Sequence, residues 1–244
     1  MHKNSRSLWE FANPKRFVLI ADKLIPLLTI CTVLSMSIGI FWGVLFTPND
    51  YRQGAAVKII YIHVPSAFLA INIYIMMFIA SVIWLIRRHH VSLLAAKAAA
   101  PIGLTMTLIA ILTGAIWGKP IWGTYWAWDP RMTSFAILLM FYIGYISIWS
   151  AMEYNDKVGD LSALLCIIGS IFALLSRYAV IFWNQGLHQG ASMSLDKEEN
   201  IANVFYLPLL VCLLGFVSLF LTLLLIRTRT EIRIKRITSL LRMN

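Results

Sequence analysis

Six runs of about 20 or more mostly apolar residues restrict this chain's fold more than any other feature. They cover 24–46, 59–86, 93–117, 133–152, 161–182 and 204–226, with short polar joints between them. A run of that kind crosses a bilayer as an α-helix, because a helix satisfies its own backbone polar groups in hydrocarbon. Of the 244 residues, 59% are apolar and 13% charged, whereas a soluble domain carries about 25% charged residues. No stretch outside the runs is long enough to bury a core of its own. The expected fold is an all-α integral membrane protein, one six-transmembrane-helix bundle over 1–244.

The basic residues orient this bundle. Most of the 21 lysines and arginines lie near the N-terminus, in the joint after the second run (Arg87, Arg88, Lys97), at Lys157 and in the C-terminal tail. The opposite side holds only Arg52, Lys58, Lys119, Arg131 and Lys197, and Arg177 falls inside the fifth run. Positive residues concentrate on the cytoplasmic side. Both termini are therefore expected in the cytoplasm, with 47–58, 118–132 and 183–203 on the outer side. The net charge of +10 is strung around the apolar runs and forms no single face for nucleic acid. The basic tail, with Ile232, Ile234 and Ile237 between its charges, is expected to lie on the anionic leaflet or against a partner. The first run is too long for a cleavable leader and lacks a small-residue cleavage site, so it reads as a span. Cys31, Cys166 and Cys212 each sit inside a run without metal-binding spacing and read as inert buried thiols.

The outer joints carry the unusual chemistry. His63, in "YIHVPSAF", opens the second span, with Ser66, Ala67 and Ala70 expected on its face as a small surface beside the imidazole. His188, in "WNQGLHQGAS", lies in the third outer joint between Gly186 and Gly190. Each has an ordinary explanation alone: an interfacial hydrogen bond for His63, solvation for His188. His89 and His90 read as solvated basic residues on the other side. Between the two outer histidines comes "WGTYWAWDPR", residues 122–131. Scattered tryptophans form an interfacial belt. Three in seven positions, punctuated by Gly118, Pro120, Gly123 and Pro130, predict a shaped outer loop over 118–132.

Two imidazoles can fill both axial positions of an iron porphyrin. Trp122, Tyr125, Trp126 and Trp128, with Trp117 and Trp183, offer the flat apolar wall such a ring needs. Arg131 can pair with a propionate. Arg177 is costly within a span and is a second candidate for that role, beside a structural ion pair or snorkelling towards the interface. Asp129 reads as a helix cap, as a partner of Arg131 or as a group that orients a partner.

These residues carry a resemblance. "WGTYWAWDPR" resembles the tryptophan-rich WWD signature of haem-handling proteins in cytochrome c biogenesis. Together with "YIHVPSA", "LHQG" and the six-span layout, it makes nearly the whole chain similar to the haem exporter protein C family, CcmC. The resemblance implies a protein of the bacterial inner membrane, or of the equivalent organelle membrane, with its working loops in the periplasm. It implies haem b held transiently, with His63 and His188 as axial ligands, and presentation to the haem chaperone CcmE, which becomes covalently attached to it. The CcmA/CcmB transporter and small CcmD are the implied further partners. The chain departs from the family pattern in "VIFWNQGLHQ", where Ile181 and Phe182 replace an acidic residue and a tryptophan and one residue is added near Gln185–Gly186. A haem lyase of the same superfamily and a resident b-type cytochrome remain as alternatives. No ATPase motif is present, and the chain reads as a haem-delivery component rather than a self-contained enzyme.

Overall fold

The computed structural model describes residues 13–183 and 201–241, the side chains of 180–183 apart. Among the described residues six helices follow one another: α1 (Pro14–Phe41), α2 (Ile60–Arg87), α3 (His90–Trp122), α4 (Pro130–Ala151), α5 (Asp156–Trp183) and α6 (Asn203–Leu241). Each is long and apolar enough to cross a membrane. A π-helical turn, Trp42–Phe46, prolongs α1, and a 3-10 turn, Ala55–Ile59, leads into α2. Local sequence sets several of the ends. Asn13 caps α1 by accepting from the Lys15 amide at 3.0 Å, with Pro14 preset for the first helical turn. Asp129 and Pro130 repeat that device at α4, where the Asp129 carboxylate accepts from the Met132 amide at 2.7 Å.

Helix α2 packs against α3, α5 and α6; α4 leans on α5 and α3, and α1 rests mainly on α6. The core is built around the fully buried Tyr74, Met77, Leu138, Tyr142 and Tyr145. Tyr142 donates to the Ala70 carbonyl at 2.8 Å and meets the Tyr74 ring edge-on, so both phenols hold helices together. Close helix approach depends on missing side chains. A Cβ at Gly39 would fall 2.8 Å from the Cys212 backbone nitrogen, and one at Gly215 would fall 2.6 Å from Met36 Cγ, so α1 and α6 touch nearly backbone to backbone. At one end of the bundle Asp22 pairs with Arg229, Lys97 with Glu231 at 2.7 Å, and Arg88 with Asp160. The described beginning and end of the chain therefore share one face. Cys166 and Cys212 are buried and unbridged, as expected, whereas Cys31 is only half-buried.

Two expectations need correction. The third span does not stop at 117: α3 runs through Gly118 and Pro120 to Trp122, and the irregular outer segment shrinks to 123–129. The terminator is Gly123, whose φ of 78° ends the helix with its amide on the Lys119 carbonyl. The basic tail is helical. It prolongs α6, its charges engaging α1, α3 and the ring of Tyr154, which lies 4.9 Å from the Lys235 ammonium. His89 is not simply solvated, since it caps α3 by accepting from the Ser92 amide.

Candidate functional site

At the opposite end from those ion pairs, α2, α3, α4 and α5 surround a cleft of about 1390 Å³, its open mouth included. Along α2 the lining runs from Ile60 through Val64 and Ala67 to Asn72, roughly 18 Å at the helical rise. His63 sits at the edge of that face. Of the small residues expected beside it, only Ala67 lines the cleft; Ser66 and Ala70 turn into the core and are fully buried.

Helix α3 holds the imidazole from the other side. His63 Nδ1 lies 3.0 Å from the Thr113 hydroxyl, which itself donates to the Ile109 carbonyl at 2.6 Å. One hydroxyl has one proton. That geometry suits Thr113 as acceptor from an Nδ1–H imidazole, with the lone pair then on Nε2. Gly114 makes room for the ring, since a Cβ there would stand 3.0 Å from His63 Cε1. Three residues on, Trp117 lines the same cleft and packs edge-on against Trp122, their rings 5.1 Å apart. Its indole donates to Gln53 at 2.8 Å. Gln53 belongs to a tight turn in which the Asp50 carboxylate accepts from the amides of Arg52 and Gln53, so the first outer joint is tied to α3.

The charged wall comes from α4 and α5. Arg131 and Arg177 both line the cleft, and Arg131 senses the charges of Asp129 and Arg177. Among the described lining residues there is no carboxylate. Trp126 completes the wall, and its buried Nε1–H has no partner among the described residues. A buried unsatisfied donor costs about 1–3 kcal/mol, and an acceptor on a ligand would remove that cost. Among the described residues, one imidazole, tryptophan faces, two guanidiniums and an unpartnered indole N–H together fit a flat, apolar-faced dianion. A haem with two propionates has that chemistry. No group of three or more His, Cys, Asp or Glu suited to a bare metal ion occurs among the described residues.

The cleft thus gathers His63, Trp117, Trp122, Trp126, Arg131 and Arg177. It does not gather Tyr125, which is 59% exposed under the Lys119 ammonium, or Trp128, which is 83% exposed and edge-on to Trp126. His188 and the Trp183 side chain lie outside the described residues. Asp129 is 4% exposed and acts as the α4 cap, the first of the roles read for it. Sequence reasoning missed Gln53, Thr113 and Gly114. The spacing of Ala110, Gly114 and Trp117 on one face of α3 was the available signal.

The sequence family described as Heme exporter protein C matches residues 7–243. Heme exporter protein C of Rhodobacter capsulatus is 59% identical over 234 residues, covering 96% of this chain and 97% of that protein. Its namesake in Paracoccus denitrificans is 58% identical over 235 residues, with coverages of 96% and 97%. The Escherichia coli K12 protein of that name is 39% identical over 227 residues, with coverages of 93% and 91%. With its six membrane-length helices and its aromatic, arginine-lined cleft, this chain belongs to the Heme exporter protein C family of cytochrome c biogenesis.

Proposed function

We propose that the chain holds haem at the outer face of the bacterial inner membrane and presents it to the chaperone CcmE. The observation that carries this reading is the donor set of the cleft: His63 beside Trp117, Trp122 and Trp126, with Arg131 and Arg177 and no described carboxylate. His63 Nε2 is one axial ligand, and His188 of the third outer joint is the other. Arg131 and Arg177 take the propionates, and the Trp126 indole N–H adds a neutral donor beside them. With both axial positions filled by imidazole, oxygen finds no open coordination site.

Tyr125 and Trp128 stand outside the cleft on the same short segment as Trp126. An exposed aromatic pair beside the ligand suits a docking surface for the chaperone. The distribution of lysine and arginine supports cytoplasmic termini and a periplasmic cleft. CcmA, CcmB and CcmD are the further partners in this reading, and transport energy comes from them. The chain itself contributes position and orientation. Co-expression with CcmE tests the reading: covalent haem on the chaperone should appear with the wild type and be lost with His63→Ala and with His188→Ala. Undiminished loading by both variants would refute it.

A further inference from the structure

A histidine that ligates iron is governed by what its second nitrogen does, since that partner fixes the tautomer and sets the basicity of the ligating nitrogen. At His63 the partner is the Thr113 hydroxyl, 3.0 Å from Nδ1. This partner is uncharged, and its hydroxyl lies within donating reach of the Ile109 carbonyl at 2.6 Å and the Ala110 carbonyl at 3.3 Å. It can orient the imidazole, but unlike a carboxylate it adds little electron density to the ring. The next residue, Gly114, supplies the space in which the ring lies. Two adjacent positions of α3 thus perform separate tasks, one holding Nδ1 and one seating the ring face.

We propose that Thr113 is the positioning residue for His63, fixing the Nδ1–H tautomer while keeping the imidazole a releasable iron ligand. A carrier that must surrender its haem needs an oriented ligand that is not strengthened by a charged neighbour. The proposal rests on the reading of His63 as an axial ligand.

The test uses the full chain in detergent, with haem titrated into Thr113→Ser, Thr113→Val and Thr113→Asp beside His63→Ala. Three quantities are read: the His63 ring tautomer by nitrogen NMR without haem, the reduction potential of bound haem, and the rate of haem loss to apomyoglobin. Thr113→Ser should match the wild type in all three. Thr113→Val, nearly identical in shape, should mix the tautomers and speed haem loss about tenfold, within the usual range for such partners. Thr113→Asp should lower the potential and slow haem loss. Wild-type tautomer and release in Thr113→Val, with the low-spin spectrum abolished by His63→Ala, would overturn the role of Thr113 alone. An unchanged spectrum in His63→Ala would overturn the ligand assignment, and the role of Thr113 with it.

Discussion

The hydroxyls of Ser134 on α4 and Ser176 on α5 meet at 2.9 Å in the fully buried seam between the two helices. Ser134 also donates to the Arg131 carbonyl at 2.9 Å, and Ser176 directly precedes Arg177. This contact brings two like charges to one wall, an arrangement that costs energy until an anion joins them. Arg131→Gln or Arg177→Gln should each remove a charge-assisted bond of about 1.5–3 kcal/mol, weakening haem binding roughly ten- to hundredfold. Thermal stability in detergent should hold steady or rise for Arg177→Gln. A porphyrin with esterified propionates should bind the wild type and both variants alike, as measured by absorbance titration.

Gly114 separates ligand seating from fold stability. Alanine favours a helix by up to about 1 kcal/mol over glycine, yet its Cβ would press on His63 Cε1 at 3.0 Å. Gly114→Ala should therefore melt no lower than the wild type while binding haem more weakly. Gly114→Val should lose about tenfold in affinity, in line with the roughly 1–3 kcal/mol of an overpacked contact. Parallel melting curves and haem titrations check both statements.

Gln53 ties the first outer joint to the tryptophan wall through the Trp117 indole. Gln53→Leu keeps the bulk and removes the acceptor, costing about 1 kcal/mol for one hydrogen bond. The expected result is a few-fold weaker haem complex and altered Trp117 fluorescence, with the helical circular dichroism unchanged.

The α1–α6 seam bears on stability and not on the cleft. Gly39→Ala places a methyl 2.8 Å from the backbone nitrogen of Cys212, where no flexible side chain can give way. A loss of about 1–3 kcal/mol should follow, read as a lower melting temperature, with haem affinity per folded molecule preserved.

The six spans were legible because apolar length alone decides them, and helix periodicity adds little once every face is apolar. Their ends were harder to read. Gly118 and Pro120 look like breakers, yet Gly118 packs beneath Trp122, and Pro120 near the end of the helix forfeits few backbone bonds. Gly123, with its positive φ, is the residue that stops α3. Within the site, His63, the tryptophans and the arginines announce themselves by being unusual for their place. Thr113 does not, because a threonine in a span ordinarily bonds its own i−4 carbonyl, and this one does so while also facing His63 Nδ1. Trp128 and Tyr125 looked equivalent to Trp126 in sequence; their separation from the cleft depends on backbone directions in 123–129 that residue types alone do not encode.

Ligation of haem iron by His63 in this cleft has a direct spectroscopic signature. Its most direct test is the absorption and electron paramagnetic resonance spectrum of haem bound to the detergent-purified chain, recorded for the wild type, His63→Ala and His188→Ala. The wild type should give a low-spin, bis-imidazole spectrum that each variant loses, with exogenous imidazole restoring it to His63→Ala. An unchanged low-spin spectrum in His63→Ala would show that His63 is not an iron ligand.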